Sequence, residues 1–281
     1  MTAPLGAELV RRVVTAALAE DLGDAGDITT NALVGPDTPG VARIVARAPG
    51  RVAGVDVGCD AFEQLDARVA INVLRHDGSD VRPGDVIAVV DGPARAILTG
   101  ERVCLNLIGR LSGIATATRD MVAAIEGTGA TIADTRKTTP GLRALEKYAV
   151  RVGGGSNHRF GLYDAAMIKD NHIAATGSIG AAVAAVRAAT GHTVKVEVEA
   201  ETLEQAREAV AAGADIVLLD NMDPRELAAA VAAIDGRAIV EASGGVSIAT
   251  VRSIAESGVD IISAGAITHS APQLDVALDF D

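Results

Sequence analysis

The second half of the chain repeats one pattern, an apolar strand followed by a loop and an alanine-rich helix, and this repetition limits the fold more than any other feature. Strands are predicted over residues 131–135, 165–169, 193–199, 216–220, 238–241 and 260–264, and helices over 178–190, 203–212, 224–234 and 248–257. Repeated βα units imply a parallel sheet, in the form of a barrel or of a doubly wound sheet. No Gly-x-Gly-x-x-Gly motif follows the first strand, which favours an α/β barrel. Because only six strands can be identified in the sequence, whereas a full barrel has eight, the barrel is expected to be incomplete.

Residues 1 to about 113 follow a different pattern. A helix over 5–22 precedes short apolar runs at 41–46, 52–57, 70–74 and 86–90, separated by turn pairs such as Pro49-Gly50 and Asp77-Gly78. This pattern predicts a mostly antiparallel sheet with a helix packed on it. A long helix from about Thr99 to Ile125 then links this domain, residues 1–113, to the barrel domain, residues 114–270.

Composition argues against two classes of function. The 281 residues include 37 acidic and 25 basic ones, for a net charge of −12, and this balance does not suit nucleic acid. The longest weakly charged stretch, 173–190, is broken by Arg187 and is shorter than the roughly 20 apolar residues that span a bilayer. The N-terminus lacks the features of a signal peptide, and two cysteines are typical of a reducing cytoplasm. No role is assigned to Cys59, Cys104, His76 or His192.

Basic residues are concentrated in the middle of this acidic chain. They comprise all four lysines (Lys137, Lys147, Lys169 and Lys195) together with Arg136, Arg143, Arg151, His158, Arg159 and His172. Such a segment indicates a pocket for a small anion, because the local field there outweighs the net charge. The alternative is a solvated helix face.

Several predicted strands carry polar residues at their carboxyl ends, where barrel enzymes place their active sites. Lys169, Asp220, Ser243 and the pair Arg136-Lys137 stand at such ends. In the strand at 193–199, Lys195, Glu197 and Glu199 alternate with valines and share the face expected to point into the barrel. Charges there need partners or ligands. A network of capping residues would give the same pattern, but an active site is the better interpretation.

Two glycine-containing loops indicate phosphate binding. Ser243-Gly244-Gly245-Val246-Ser247 leads into the predicted helix at Ile248, and Ser263-Ala264-Gly265-Ala266 follows the last strand. Small residues allow backbone N–H groups to face a phosphate. Glu199 and Asp220 are hard oxygen donors of the kind that Mg²⁺ accepts, directly or through water.

Specific motifs occur in order along nearly the whole chain. They are Glu20-Asp21-Leu22-Gly23-Asp24, Asp27-Ile28-Thr29-Thr30, Glu101-Arg102, Asn106-Leu107, Leu111-Ser112-Gly113, Asp134-Thr135-Arg136-Lys137-Thr138-Thr139-Pro140-Gly141-Leu142-Arg143, Gly153-Gly154-Gly155-Ser156-Asn157-His158-Arg159, Lys169-Asp170-Asn171-His172, Glu199, Leu219-Asp220-Asn221 and Glu241-Ala242-Ser243-Gly244-Gly245. Together they resemble the quinolinate phosphoribosyltransferase family, that is, the carboxylating nicotinate-nucleotide pyrophosphorylases.

The resemblance implies an N-terminal α/β sandwich, an open seven-stranded α/β barrel, and a tail at 271–281 that returns to the first domain. It also implies the reaction: quinolinate and 5-phosphoribosyl 1-diphosphate give nicotinate mononucleotide, diphosphate and CO₂ with Mg²⁺ and without an organic cofactor. The implied assembly is a cytoplasmic homodimer with shared active sites, alone or as a trimer of dimers, and the implied partners include no nucleic acid and no membrane.

By resemblance, particular residues are expected to serve each substrate. Quinolinate would be bound by Arg136, His158, Arg159 and Lys169, with Arg102 from the neighbouring subunit. The phosphoribosyl diphosphate and its metal would be served by Thr135, Lys137, Glu199, Asp220, Ser243, Gly244, Gly245, Ala264, Gly265 and Ala266. The expected catalytic residues are Lys137, Lys169, Glu199 and Asp220. The cations suit two anionic substrates, since an arginine fork binds both oxygens of a carboxylate.

Three alternatives are open at this point. One is a related enzyme that uses nicotinate, another is a paralogous protein associated with molybdenum transport, and the third is a non-catalytic sensor of anionic metabolites. The number of cations near 136–169 favours a dicarboxylate. Glu199 and Asp220 argue against a sensor, because a simple anion binder gains nothing from carboxylates at its phosphate site.

Overall fold

A computed structural model describes residues 3–280, which form eleven helices and twelve strands joined by turns and loops. The helices are α1 (Ala7–Leu22), α2 (Ile28–Leu33), α3 (Val55–Leu65), α4 (Ala94–Ala124), α5 (Arg143–Val152), α6 (Asp170–Thr176), α7 (Ile179–Ala189), α8 (Leu203–Ala211), α9 (Pro224–Ile234), α10 (Val251–Ala255) and α11 (Ala266–His269). The strands are β1 (Pro39–Ala46), β2 (Gly50–Arg51), β3 (Ala70–Val73), β4 (Asp80–Val81), β5 (Val86–Pro93), β6 (Thr131–Ala133), β7 (Ala166–Ile168), β8 (Val196–Ala200), β9 (Ile216–Asp220), β10 (Ile239–Ser243), β11 (Ile261–Ser263) and β12 (Val276–Phe280). Within residues 3–280 no single helix is long and apolar enough to cross a membrane, and the one pair that passes together, α6 with α7, is bent by 92°.

Two compact units divide the described residues. The first contains the chain up to Arg119, the segment Thr139–Gly154 and the residues from Ala271 onwards; the second contains Asp120–Thr138 and Gly155–Ser270. The sequence-based boundary at 113/114 differs from this division in two respects, because residues 114–119 and 139–154 both group with the first unit. Helix α4 runs without a break past that boundary.

The first unit is built on an antiparallel sheet with the order β12-β1-β5-β3. Strand β12 pairs with β1 from Val276 opposite Ala46 to Phe280 opposite Ala42. Helices α1 and α3 pack together, and Val14, Leu18 and Phe62 are buried there. Antiparallel pairing beside a helix is the architecture predicted for this part of the chain.

One predicted strand in this unit is wrong. Residues 52–57 were expected to be extended, but α3 begins at Val55. The Asp77 carboxylate accepts hydrogen bonds from the N–H groups of Gly54 (2.7 Å) and Val55 (3.1 Å), and Gly54 takes a positive φ of 78°. A distant carboxylate thus satisfies the first N–H groups of the helix, which a local pattern of apolar residues cannot show.

The second unit is built on a parallel sheet with the order β6-β11-β10-β9-β8-β7, and helices alternate with its strands. This is the predicted α/β class, with six strands where the family resemblance implied seven. Ser156, beyond β6, makes one isolated parallel bridge with Ala133. Its N–H donates to the Ile132 carbonyl at 2.8 Å, so the chain follows the edge of β6 for a single residue pair instead of forming another strand.

Helix boundaries in the second unit follow local capping chemistry. Thr202 and Asp223 each form a capping box at the start of α8 and α9, so these helices begin where predicted. The helix predicted over 248–257 is shorter, because a Ser247–Thr250 turn precedes α10. Helices α6 and α11 of this unit, and α2 and α5 of the first unit, were not predicted.

Candidate active site

A cavity of about 600 Å³ lies at the carboxyl ends of the parallel strands of the second unit. Most of the predicted site residues line it, namely Thr135, Arg136, Lys137, His158, Arg159, Lys169, Glu199, Asp220, Ser243, Gly244, Gly245, Gly265 and Ala266. The alternation of strand and helix places the start of each βα loop at the same edge of the sheet, which is why residues far apart in sequence meet here. The sequence argument therefore identified the residues that share one cavity.

Sequence reasoning missed other residues of the cavity wall. Met167, Leu218, Glu241 and His269 also line it, beside Val246 and Ser263 of the two loops that the sequence singled out for phosphate. Glu241 and His269 have signals in the sequence: Glu241 lies two residues before Ser243 on the same strand, and His269 lies one helical turn after Gly265. The apolar residues have no such signal, because they look like any core position of a strand.

Two arginines provide positive charge on one side of the cavity. Two contacts with protein atoms fix the orientation of Arg159. Its guanidinium donates to the Ala165 carbonyl at 3.1 Å and contacts the Met167 sulfur at 3.5 Å. Burial lowers the pKa of Arg159, and the nearby charge of Arg136 lowers it further. Two guanidinium groups that repel each other in a partly desolvated cavity form a site that an anion stabilises.

Carboxylates of β8 and β9 provide the opposite charge. Lys169 Nζ pairs with Glu199 Oε2. Burial raises the pKa of Asp220, and the charge of Glu199 raises it as well. Two carboxylates on adjacent strands, with the pKa of Asp220 raised, fit the donor set of a divalent cation. In this arrangement Lys169 partly neutralises the pair.

Glycines widen the cavity at two points. Gly244 and Gly245 take positive φ values of 95° and 58°. At Gly265, a Cβ would lie 2.9 Å from the Lys137 side chain and 3.2 Å from His269, so a glycine makes room for both. The first loop does not lead directly into a helix at Ile248 as predicted, because α10 starts at Val251. The second loop leads into α11, which contains only four residues.

Beneath the arginines lies a buried cluster of His158, Glu197 and Glu241. His158 Nε2 lies 3.3 Å from Glu197 Oε2 and 3.5 Å from Glu241 Oε1. Glu197 and Glu241 are only 1% and 2% exposed. Burial and the charge of Glu197 raise the pKa of Glu241 to about 7. The three side chains have the composition and spacing of a metal-binding group.

The hydrogen bonding of His158 indicates a different role for this cluster. Its Nδ1 accepts the Arg159 backbone N–H at 2.7 Å, so the ring proton resides on Nε2 and points towards the two glutamates. A metal ligand would need Nε2 unprotonated. His158 Nε2 thus lies within hydrogen-bond distance of Glu197 instead of being open to a metal ion. Both of its ring nitrogens have partners within the protein, and its expected contact with a substrate carboxylate stays a prediction.

Asp134 fixes the segment that carries these residues. Its buried carboxylate accepts the Asn157 side-chain amide at 2.6 Å and the His158 backbone N–H at 2.9 Å. The segment that ends in Arg159 is therefore held by hydrogen bonds from both its backbone and its side chains.

Three predicted residues do not line this cavity. Ala264 is buried behind it, and its N–H donates to the Ala133 carbonyl at 2.9 Å. Arg102 belongs to the first unit, where its side chain is 65% exposed and lies 3.9 Å from Glu101. Lys195 was expected to face the interior, but β8 begins after it; its side chain is 62% exposed and pairs with Asp215 at 3.7 Å.

Comparison with known proteins gives one family for both parts of the chain. The family profile for the quinolinate phosphoribosyl transferase N-terminal domain matches residues 27–112, and the profile for the C-terminal domain of the same family matches residues 114–279. The probable nicotinate-nucleotide pyrophosphorylase [carboxylating] of Bacillus subtilis is 49% identical over 92% of this chain and 89% of its own length. The nicotinate-nucleotide pyrophosphorylase [carboxylating] of Mycobacterium leprae is 45% identical over 97% of both chains. The crystal structure of NadC from Streptococcus pyogenes superposes with a TM-score of 0.95 at 41% identity, covering 99% of each chain.

Proposed function

The chain belongs to the quinolinate phosphoribosyltransferase family, and from that premise we propose how its cavity carries out the family's reaction. The enzyme transfers the phosphoribosyl group of 5-phosphoribosyl 1-diphosphate to quinolinate and releases diphosphate and CO₂, giving nicotinate mononucleotide for NAD biosynthesis. The observation that carries our assignment of residues is a single cavity with arginines on one side and paired carboxylates beside a glycine loop on another.

Arg136 and Arg159 bind the two carboxylates of quinolinate in this proposal. Both guanidinium groups line the cavity, and Arg159 has two contacts that hold its orientation before any ligand arrives. A dicarboxylate relieves the repulsion between them, and each guanidinium can bind both oxygens of one carboxylate. His158 and Lys169 complete the quinolinate pocket, His158 chiefly by fixing the backbone of Arg159.

The phosphoribosyl diphosphate occupies the other part of the cavity. Thr135, Lys137, Ser243, Gly244 and Gly245 contact its phosphates, together with Gly265 and Ala266 of the second loop. Glu199 and Asp220 hold Mg²⁺, directly or through water, and the ion when bound neutralises diphosphate charge. Lys137 has access to the phosphates because Gly265 leaves space for its side chain.

The charges of the chain then serve both bond changes. When the bond between the ribose and the diphosphate breaks, positive charge develops on the sugar, and the carboxylates of Glu199 and Asp220 stabilise it. The quinolinate nitrogen, held by the arginines, forms the new bond and becomes cationic. The bond to the C2 carboxylate then breaks and its electron pair stays on C2 beside that cation, after which C2 takes up a proton. The remaining contribution of the protein is orientation and exclusion of water, without an organic cofactor.

Binding measurements on matched variants test this division of the cavity. Arg159→Ala is expected to weaken quinolinate binding about ten- to a hundredfold and to leave phosphoribosyl diphosphate binding within twofold, because one charged hydrogen-bonding group is lost. Asp220→Asn is expected to show the reverse pattern and a higher Mg²⁺ requirement. Arg252→Ala, on the surface of α10, is the control. Equal losses of both substrates in either variant would contradict the assignment, and release of labelled CO₂ from quinolinate monitors the complete reaction.

We further propose a homodimer, alone or as a trimer of dimers, in which Arg102 enters the neighbouring subunit's site. Its support is an exposed guanidinium whose nearest acid is 3.9 Å away. Mixing an Arg102→Ala subunit with a Lys169→Ala subunit is expected to restore one intact site of two. If stable mixed dimers recover no activity, the shared site is wrong. We place the enzyme in the cytoplasm, in keeping with its two buried, unpaired cysteines, and cell fractionation with an antibody tests this.

A further inference from the structure

Asn221 follows Asp220 at the end of β9 and has an uncommon backbone conformation. Its φ is 56°, and among the described residues only Asp235 is another non-glycine residue with positive φ. Asp235 ends helix α9, where left-handed residues are frequent. Asn221 ends no helix, so its conformation must be held by neighbouring contacts, and such residues concentrate at functional sites.

The contacts of Asn221 join the acid of one strand to the glycine loop of the next. Its backbone N–H donates to the Ser243 carbonyl at 2.9 Å. Its side-chain Nδ2 donates to Asp220 Oδ2 at 2.7 Å. On the other side of the amide, a Cβ added to Gly244 would lie 2.2 Å from Asn221 Oδ1, so the loop backbone packs directly against this side chain.

The left-handed conformation explains why asparagine stands here. A strand residue in ordinary extended geometry would direct its side chain away from the preceding carboxylate, whereas the left-handed turn brings the amide back to it. Asparagine tolerates this conformation better than other residues with a side chain and has both an N–H donor and a carbonyl. Glycine would accept the backbone geometry but would provide no donor.

We propose that Asn221 is a positioning residue for phosphoribosyl diphosphate, which fixes the Asp220 carboxylate and the Gly244–Gly245 loop as one unit. This inference rests on the proposed function, in which Asp220 and the loop contact that substrate. The amide donates to one oxygen of Asp220 and thereby sets the rotation of the carboxylate. The same side chain limits how closely Gly244 approaches, so acid and loop keep one relative geometry.

Two substitutions separate positioning from backbone strain. Asn221→Gly permits the left-handed conformation and removes the amide, and Asn221→Asp keeps the shape and removes the donor. Both are expected to raise the Kd for phosphoribosyl diphosphate with Mg²⁺ about ten- to a hundredfold, the effect of losing one hydrogen bond to a charged group. Calorimetry is done with benzene-1,2-dicarboxylate present, because it has both carboxylates but no ring nitrogen to react. The Kd of that dicarboxylate and the melting temperature are expected to stay unchanged.

Asp235→Gly is the matched control, since it makes the same backbone change at the other left-handed position and is expected to leave both Kd values unchanged. In an Asp220→Asn background, Asn221→Gly is expected to add less than a twofold effect, because the two side chains act together. If both Asn221 variants bind phosphoribosyl diphosphate as tightly as the wild type does while Asp220→Asn binds it more weakly, the positioning role of Asn221 is overturned and the role of Asp220 stands. Wild-type affinity in Asp220→Asn itself would overturn the proposed role of Asp220 and the inference with it.

Discussion

Replacing Glu241 by glutamine should change how the stability of the protein depends on pH. Glu241 is 2% exposed, lies beside Glu197 and receives a hydrogen bond from Ser263. Burial, followed by the charge of Glu197, raises the pKa of its carboxyl to about 7, whereas His158 and Ser263 favour the ionised form. Charge on Asp134 adds to the rise. Glutamine keeps a carbonyl oxygen for these donors but has no proton to lose.

The size and sign of the effect follow from the difference between the folded and unfolded pKa values. A carboxyl with a pKa near 4.5 when unfolded and about 7 when folded stabilises the protonated native state by about 3 kcal/mol. This contribution to stability is complete at pH values below the pKa of the unfolded state. It is lost as the pH rises through the pKa of the folded state. The wild type therefore loses stability between pH 5 and pH 8 through this group. Relative to it, Glu241→Gln should gain about 2 to 3 kcal/mol over the same range.

Urea unfolding followed by circular dichroism, at pH 5 and pH 8, measures this difference directly. Val240→Ala is the control variant, because Val240 is a buried neighbour on the same strand and cannot titrate. Its effect on the free energy of unfolding should be equal at the two pH values. If the difference between Glu241→Gln and wild type is also equal at both, then Glu241 is not held protonated in the native state and our account of the buried cluster is refuted.

Three further predictions concern packing and hydrogen bonding. Asp134→Asn should destabilise the protein by about 2 kcal/mol in urea unfolding, because a buried carboxylate that accepts the Asn157 amide becomes an amide facing an amide. Gly113→Ala should lower the free energy of unfolding by on the order of 3 kcal/mol, because its Cβ would lie 2.1 Å from the Pro272 carbonyl oxygen. A melting temperature equal to that of the wild type would contradict this. Tyr148→Phe removes a 2.7 Å hydrogen bond to a carboxylate and should lower the free energy of unfolding by about 1 to 2 kcal/mol, and no change would show that water replaces the phenol.

Regular parts of the fold could be predicted because their signals are local. Strands β8 to β11 are short apolar runs, and α8 and α9 begin at capping boxes formed within four residues. Such features depend on neighbours in sequence, so periodicity and capping identify them. The start of α3 could not be found in this way, because it depends on Asp77, more than 20 residues further along the chain.

The candidate site also has features that could be predicted from the sequence and features that could not. Its charged residues are visible in the sequence because lysines, arginines and carboxylates at the ends of apolar strands are unusual, and the alternation of strand and helix implies that those ends meet. Which charges contact each other is not visible. Lys169 was expected to face quinolinate and Glu199 to face a metal, yet in the structure these two side chains pair with each other.

From the sequence alone we could infer the family, the α/β class and most of the charged residues that share the cavity. Three features became visible only in the folded chain: His158 Nε2 faces the buried Glu197, Asn221 turns back onto Asp220, and Lys195 lies outside the sheet. The physical reason is that residue type and spacing fix which groups reach one end of a sheet. Hydrogen-bond direction, burial and the conformation of a single residue depend on atoms contributed by several strands at once.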